Sequence, residues 1–297
     1  MKIMECVPNF SEGRDKNKVA GIAETLCAAT GIRLLDYSMD ADHNRSVFTF
    51  IGTPEAVMQG MMAACGKAFE LIDMKQHKGA HPRIGAADVI PFIPLGDAQM
   101  SDAVETAHTF GRKLSARYHI PVYFYGEAAL KPERKTLSYL RRGGYEGLRD
   151  KMQEPQWIPD AGAADFNENS GASCVGARMP LIAFNINLKT DDLAVAKTIA
   201  ISVRESGGGL KCVQAMGVPL RSRNIVQVSM NLTDYRQTSI RRVFDAVKER
   251  TEAAGVDILE SELIGLAPRE AFADATSEYL QLTDFPEQKI LETHLAD

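Results

Sequence analysis

The sequence predicts a layered fold of strands and helices, an α/β or α+β sandwich divided into two domains. Short segments rich in β-branched and aromatic residues alternate with segments of helical periodicity, which is typical of such folds. The length of 297 residues is about twice that of an average domain. Hydrophobic residues make up 45% of the chain and charged residues 25%, as in ordinary globular proteins.

The predicted elements follow in order from the N-terminus. We expect strands at residues 2–7, 32–37, 46–51, 87–93, 121–125, 181–188, 211–218, 224–232 and 256–263. We expect helices at residues 15–30, 54–73, 101–118, 191–205, 236–254 and 268–280. Only a short loop joins the second strand to the third, which predicts an antiparallel pair. The first 125 residues approach a split β-α-β plan with extra elements.

The segment from Tyr145 to Gly176 is rich in proline, glycine and alanine and has no clear period. Long stretches of this kind inside compact chains are usually functional loops or linkers. We therefore place a boundary just after it. Residues 1–180 are then an N-terminal subdomain, and residues 181–297 are a C-terminal subdomain.

Three predicted strands end in an asparagine followed by a hydrophobic residue. These are Asn9, Asn187 and Asn231, and each precedes a helical pattern. An asparagine at such a junction can cap the helix, because its side-chain oxygen accepts a hydrogen bond from a free backbone N–H. The alternative is that these amides line a cleft at strand ends, where layered folds often bind ligands.

Composition excludes several classes of protein. The net charge of −5 shows no basic excess, so we expect no nucleic-acid partner. The five cysteines are odd in number and form no CxxC pair, which argues against a disulfide framework or a structural zinc site and favours a reducing compartment. No segment has the apolar run of a signal peptide or a membrane span. We therefore expect a cytoplasmic location and no membrane partner.

The densest polar cluster is HKGAHPRIGAADVIPFIP, residues 77–94. His81 precedes a proline, which favours an extended backbone, and Arg83 and Asp88 follow it. A histidine beside a cation and a carboxylate suits proton transfer near neutral pH; a structural loop histidine is the alternative. His77 and His81 are four apart, but the glycines and proline around them argue against a helix and the glutamate of HExxH is missing. We predict no metal site.

A second cluster, DYSMDADHNRS, covers residues 36–46. Asp36, Asp40 and Asp42 lie among turn residues, without the spacing of a calcium-binding EF-hand. A solvated hairpin tip is one interpretation. The other rests on Arg45, which precedes a strand and can bind a carboxylate through two parallel hydrogen bonds.

A third cluster is the glycine- and alanine-rich stretch of residues 159–188. Small residues allow a backbone to approach a flat ligand closely. Phe166 can stack on an aromatic ring, and Arg178 can bind an anion. A further glycine-rich stretch, residues 205–217, matches no phosphate-binding fingerprint but contains another candidate cation, Lys211.

Several segments together closely resemble the formiminotransferase family, including the formiminotransferase domain of formiminotransferase-cyclodeaminase and stand-alone bacterial enzymes. They are ECVPNFSEGR (5–14), DHNRSVFTFIG (42–52), HKGAHPRIGAADVIPFIP (77–94), YFYGEAA (123–129), GGYEGLRDKM (143–152), GARMPLIAFNINL (176–188) and QVSMNLTDY (227–235). The resemblance runs from residue 5 into the last fifty residues. No cyclodeaminase segment is recognised, so only transfer activity is expected.

The resemblance implies an α+β fold of two ferredoxin-like α/β-sandwich subdomains with a ligand groove between them, in a homodimer. It implies transfer of the formimino group of N-formimino-L-glutamate to N5 of tetrahydrofolate, the co-substrate, in histidine degradation, with no metal. The histidine of the family's HPR motif corresponds to His81, the implied acid–base catalyst. The family's folate-binding loop corresponds to Gly162, Ala163, Ala164, Asp165, Phe166, Asn167, Glu168, Asn169, Ser170 and Gly171.

Both substrates of this reaction carry glutamate carboxylates, and a protonated formimino group is a cation. Carboxylates of this chain can favour that cation, whereas arginine and lysine can bind the substrate carboxylates. The cation candidates are Arg45, Lys78, Arg83, Arg178 and Lys211. The residues predicted to bind substrate are Asp36, Asp40, Asn44, Arg45, Arg83 and Arg178.

Three alternatives remain open at this point. A formyltransferase acting on N-formylglutamate would use almost the same site, and a glycine formiminotransferase would need one carboxylate anchor fewer. A non-catalytic folate-binding protein belongs to a different class, and the intact His81 argues against it.

Overall fold

The computed structural model describes residues 2–283, 285 and 287–294 and contains two compact units, Met1–Arg178 and Met179–Asp297. Each unit is a β-sheet with helices packed against it. The predicted α+β class is confirmed. No helix within these described ranges is long and apolar enough to cross a membrane.

The first unit is built on a seven-stranded sheet. Its elements are β1 (Lys2–Cys6), β2 (Asn9–Phe10), α1 (Lys16–Cys27), β3 (Ile32–Asp40), β4 (Arg45–Gly52), α2 (Pro54–Leu71), β5 (Ala87–Gly96), α3 (Met100–Tyr118), β6 (Val122–Gly126), α4 (Leu137–Leu140), α5 (Leu148–Lys151) and β7 (Ser173–Ala177). Strands β1 and β2 both lie between β4 and β5 and run antiparallel to each. Strand β3 pairs with β4, and β7 lies parallel between β5 and β6.

One face of this sheet forms the core with α1, α2 and α3. Met4, Cys6, Phe48 and Phe50 are fully buried in it. Successive side chains of a strand point to opposite faces. The opposite face therefore receives the intervening residues, among them Arg45 at the start of β4, and it is the face on which the candidate site is built.

The second unit has the order β-α-β-β-α-β. Its elements are β8 (Ile182–Leu188), α6 (Leu193–Val203), β9 (Val213–Leu220), β10 (Ile225–Leu232), α7 (Ile240–Ala253) and β11 (Ile258–Ile264). The four strands are antiparallel in the order β11-β8-β10-β9. Phe184 and Ile186 of the sheet are buried with Val243 and Phe244 of α7.

The antiparallel pairing predicted for residues 32–37 and 46–51 is confirmed, and it extends to Asp40 opposite Arg45. The predicted helix at residues 268–280 is wrong: only a 3-10 turn, Arg269–Phe272, forms there. Further along, the hydroxyl of Thr276 accepts a hydrogen bond from the backbone N–H of Tyr279, a local bond that competes with helix formation. Strand β7 was not predicted, because it contains Gly and Ala, which are uncommon in strands, although it is a buried central strand.

The predicted asparagine caps are also wrong. Helix α1 is capped by Asp15, α6 by Asp192 and α7 by Ser239. Asn187 instead lies inside β8 and donates hydrogen bonds from its side-chain amide to the carboxylates of Glu260 and Glu262 on β11. The helices begin a few residues later than the asparagines, so the amides cannot reach their N–H groups.

The cap of α6 provides a test of this assignment. Asp192→Ala removes the acceptor for the backbone N–H of Ala194 and should lower the free energy of unfolding by about 1 kcal/mol. Asp191→Ala is the matched control, because Asp191 is exposed beside the cap; its effect should stay within ~0.5 kcal/mol. Urea unfolding of both variants measures the difference, and equal effects would contradict the cap assignment.

Candidate active site

A small cleft opens on the first unit where the tip of the β3–β4 hairpin meets the segment before β5. It is lined by Phe10, Ser11, His43, Asn44, Arg45, His77, His81, Arg83 and Asp88. Asn44, in a left-handed conformation at the tip, accepts a hydrogen bond from the N–H of Gly13 and donates one to the carbonyl of Lys78. This predicted substrate-binding residue therefore fixes the hairpin in place.

His81 is held at both ring nitrogens. Nδ1 lies 2.8 Å from the carbonyl oxygen of Pro82, which only accepts, so Nδ1 carries a proton. Nε2 lies 2.7 Å from Nη1 of Arg45, a donor, so Nε2 carries a lone pair. Burial, followed by the charges of Arg45 and Arg141, holds the pKa of His81 well below its ordinary value. The imidazole is a neutral base with its lone pair at Nε2.

Arg45 is a cation without a carboxylate partner. Within the described residues its guanidinium forms no ion pair, and its hydrogen bond goes to His81. Burial lowers its pKa to about 10, assisted by the nearby charge of Arg141. Arginine binds carboxylates through paired charged hydrogen bonds. Arg45 can therefore accept an anion that enters the cleft.

Arg83 differs from Arg45, because its donors are engaged within the protein. Nη1 and Nη2 contact the two carboxylate oxygens of Glu146 at 2.7 and 2.6 Å, and Nε donates to Nδ1 of His77 at 3.0 Å. Nε2 of His77 in turn donates to the carbonyl of Asn44. Both nitrogens of His77 are thus occupied in holding the hairpin tip, and the metal-binding alternative for His77 and His81 has no support in this geometry.

Asp88 is not placed to orient His81. One of its oxygens accepts a hydrogen bond from the N–H of Ile84 at 2.7 Å, and the other pairs with the guanidinium of Arg141. Arg141, which follows α4, was missed by sequence reasoning although its charge lowers the pKa values of both His81 and Arg45. No local pattern marks it, since it is 53 residues from Asp88.

The loop Gly162–Gly171 lies against the segment that follows His81. The carbonyl of Ser170 accepts from the N–H of Ala86 at 2.9 Å, and Gly171 forms a β-bridge with Gly85. Gly171 has a φ of +67°, and a Cβ there would lie 2.1 Å from the carbonyl oxygen of Ile84. Glycine is therefore required for the loop to approach this closely.

The middle of this loop is accessible. Ala163, Ala164 and Asp165 are exposed. The ring centroid of Phe166 lies 5.3 Å from that of Tyr145. The guanidinium carbon of Arg149 lies 4.9 Å from the same Phe166 centroid. Three other residues of the loop form polar contacts. Glu168 forms an ion pair with Arg149, and the side chain of Asn167 accepts a hydrogen bond from the N–H of Ser170. The carbonyl of Asn169 accepts one from the N–H of Met74.

The remaining predicted residues are spread over the unit. Asp40 lies opposite Arg45 in the β3–β4 pair, and Asp36 lies opposite Thr49. Arg178 follows β7, outside the cleft lining around His81, and its backbone N–H donates to Phe92. Burial raises the pKa of Glu5 to about 7, and the charge of Arg178 opposes that rise.

His43 lines the cleft but was not among the predicted site residues. Its ring centroid is 5.7 Å from that of His81, and its side chain is almost completely buried. Its position directly before Asn44 and Arg45 was the available signal. Over the residues that the structure describes, no group of three or more His, Cys, Asp or Glu side chains is placed to hold a metal ion.

The fold and the cleft define an α+β protein with a polar site around a neutral histidine. The chain belongs to the formiminotransferase domain family. The model of the formiminotransferase domain, N-terminal subdomain, matches residues 3–178, and that of the formiminotransferase domain matches residues 183–293.

Relatives from all three domains of life resemble the chain over most of its length. It is 43% identical over 295 residues to a glutamate formimidoyltransferase of Streptococcus pyogenes serotype M1, covering 99% of each chain. It is 43% identical over 294 residues to a glutamate formimidoyltransferase of Thermoplasma acidophilum, covering 98% of this chain and 97% of that protein. It is 45% identical over 287 residues to the formimidoyltransferase-cyclodeaminase of Gallus gallus, covering 94% of this chain but only 53% of that protein.

The contact between Arg45 and His81 predicts a change in titration. Arg45→Met removes a positive charge and a hydrogen bond to the lone pair, both of which disfavour the imidazolium, so the pKa of His81 should rise. NMR titration of the His81 ring protons, assigned with His81→Asn, measures it. Arg112→Met, an exposed change on α3, is the control and should leave the titration unchanged. An unaltered pKa in Arg45→Met would contradict the contact.

Proposed function

We propose that the protein is a glutamate formiminotransferase. It transfers the formimino group of N-formimino-L-glutamate to N5 of tetrahydrofolate and gives 5-formiminotetrahydrofolate and L-glutamate, a step of histidine degradation. Two relatives that match nearly the whole chain are named glutamate formimidoyltransferase. The observation that carries the proposal is the neutral His81 with its lone pair beside an arginine that has no carboxylate partner.

His81 acts as a proton shuttle in this reaction. N5 of tetrahydrofolate attacks the formimino carbon, and its proton passes to Nε2 of His81. The tetrahedral intermediate then collapses: the bond from carbon to the glutamate nitrogen breaks, and that nitrogen takes the proton from His81. A positioned acid–base group typically contributes ~10²–10⁴ in rate, and binding both substrates in one site adds an orientation effect. The imidazole is neutral again at the end of the cycle.

Arg45 couples donor binding to the availability of this base. Its Nη1 hydrogen-bonds to Nε2 of His81. A substrate carboxylate is a stronger acceptor, because charged pairs form shorter and stronger hydrogen bonds than a cation and a neutral ring. The guanidinium turns to the carboxylate when the donor binds, and the lone pair of His81 becomes free to accept the proton of N5.

Tetrahydrofolate binds along Gly162–Gly171, where Ala163, Ala164 and Asp165 are exposed and Phe166 is partly exposed. Asp36 and Asp40 favour the cationic formimino group, and Arg178 binds a second carboxylate. Asn44 holds the hairpin that carries Arg45, and Arg83 supports it through His77, which donates to the carbonyl of Asn44. We also propose a homodimer in the cytoplasm, two ferredoxin-like subdomains, residues 1–180 and 181–297, and a folate groove between them. The β-α-β-β-α-β order of the second unit supports the ferredoxin-like assignment.

The role of His81 is tested by substitution. His81→Asn should lower kcat for formimino transfer by roughly 10²-fold or more, because asparagine cannot take up and return the proton as the imidazole does. Folate affinity should stay near that of the unmodified protein. His119→Asn is a matched control: His119 is exposed in a left-handed conformation that asparagine adopts readily. Near-normal kcat in folded His81→Asn would remove His81 from the mechanism.

The anchoring role of the arginines has a separate test. Arg45→Met and Arg178→Met should each raise KM for one substrate by roughly tenfold or more, since a charged hydrogen-bonding contact contributes about 1.5–3 kcal/mol. Arg83→Met should instead lower the melting temperature, because it breaks the pair with Glu146. Steady-state kinetics and thermal unfolding separate the two effects. Unchanged KM with a lowered melting temperature in Arg45→Met would assign Arg45 to the fold.

A further inference from the structure

Arg141 is a mostly buried arginine beside the cleft that uses only part of its hydrogen-bonding capacity. Its side chain is 13% exposed, and Nε and Nη2 both donate to Oδ2 of Asp88, a residue that lines the cleft. Within the described residues Nη1 makes no hydrogen bond, and it is not among the polar atoms sealed from solvent. The two N–H groups of Nη1 can therefore donate to a ligand.

The guanidinium of Arg141 is fixed from two sides. The backbone N–H of Arg141 donates to the carbonyl of Leu137 at 2.8 Å, and its own carbonyl accepts from the N–H of Gly144 at 2.9 Å. On the other side, Oδ1 of Asp88 accepts from the N–H of Ile84 at 2.7 Å, so the carboxylate that pairs with Arg141 is itself anchored. A side chain held in this way loses little freedom when it binds a ligand.

Arg141 lies close enough to Arg45 and His81 for its charge to act on both. Burial lowers the pKa of Arg45 most, and the charge of Arg141 lowers it next. The same charge also lowers the pKa of His81, after burial and Arg45. Asp88 pairs with Arg141, whereas no carboxylate of the described residues forms an ion pair with Arg45. Two neighbouring cations repel one another, and an anion bound at both relieves that repulsion.

The donor of the proposed reaction carries two carboxylates. N-formimino-L-glutamate has an α-carboxylate and a γ-carboxylate, whereas a glycine carrier has only one. An arginine N–H binds a carboxylate through a charged hydrogen bond, which is stronger than a neutral one. A dicarboxylate therefore fits a cleft with two guanidiniums, and Arg45 and Arg141 are the two whose charges act on His81.

We propose that Arg141 binds one carboxylate of the donor through Nη1 while Arg45 binds the other. This inference rests on the proposed function and assigns the choice of glutamate over glycine as the carrier to this pair of arginines. Asp88 holds the guanidinium of Arg141 in place. The second carboxylate proposed for Arg178 then belongs to tetrahydrofolate.

The test compares three donors with tetrahydrofolate in the unmodified protein and in variants. They are N-formimino-L-glutamate and its two monoamides, in which either the α- or the γ-carboxylate is a neutral carboxamide. Each amide should lower kcat/KM by roughly tenfold or more, because a site built for a charged hydrogen bond rejects a ligand that lacks the charge. Arg141→Gln should abolish the preference for the diacid over one of the amides, and Arg45→Gln should abolish the preference over the other.

Arg142→Gln is the matched control. It is the same substitution one residue along the chain, at an exposed side chain beside the ring of Tyr139, and it should leave both preferences unchanged. The ratio of kcat/KM values isolates carboxylate binding, since a weakened fold or a raised pKa of His81 changes transfer from all three donors alike. Thermal unfolding verifies folding. If Arg141→Gln does not fold, Arg141→Lys replaces it; it keeps a cation opposite Asp88, lacks Nη1 and should lose the same preference.

Three results would overturn the inference. One is equal use of the diacid and either amide by the unmodified protein, and another is an unchanged pair of preferences in the folded Arg141 variant. The third is loss of the same preference in the Arg45 and Arg141 variants, which would assign a single carboxylate to both arginines. A lack of transfer from N-formimino-L-glutamate by the unmodified protein would overturn the proposed function instead.

Discussion

The site depends on the close packing of the β3–β4 hairpin tip between two glycines. A Cβ on Gly13 would lie 2.2 Å from the carbonyl oxygen of Asp40, and a Cβ on Gly79 would lie 2.1 Å from that of His43. Neither segment has room for a side chain, so the tip is held against both. Asn44 adds hydrogen bonds to each side, to Gly13 and to Lys78. Because the tip is fixed, the side chains of His43 and Arg45 have defined positions relative to His81.

The charges at the site show how a protein of negative net charge can present a local positive charge to anionic substrates. Arg83 and Arg141 are neutralised by Glu146 and Asp88 and stabilise the surroundings. Arg45 is left unpaired within the described residues, next to a neutral ring instead of a carboxylate. The net charge of −5 is therefore a poor guide to the local field. The charges of Asp40 and Asp88 act on Arg45 without forming an ion pair with it in the described residues, and we propose that this guanidinium attracts the anionic substrate.

Periodicity predicted most of the elements, because each strand and helix buries one face and repeats its own pattern. It failed for β7, where Gly176 and the small residues around it pair between two strands, and for residues 268–280, where side chains such as Thr276 form local bonds instead. At the site, His81 and Arg45 were each recognised by type, but they are 36 residues apart, and Arg83 is 63 residues from Glu146. No window of sequence contains such pairs, so their hydrogen bonds emerge only from the fold.

Because the pKa of His81 is lowered, mild acidification does not change the protonation state of its ring. A histidine with an ordinary pKa would become protonated as the pH falls below 7. The fraction of neutral imidazole that can act as a base would then decrease. His81 is shielded by burial and by the cation beside it, so its resting form stays the same through the neutral range. A modest fall in pH would therefore leave the population of the neutral imidazole at this position unchanged.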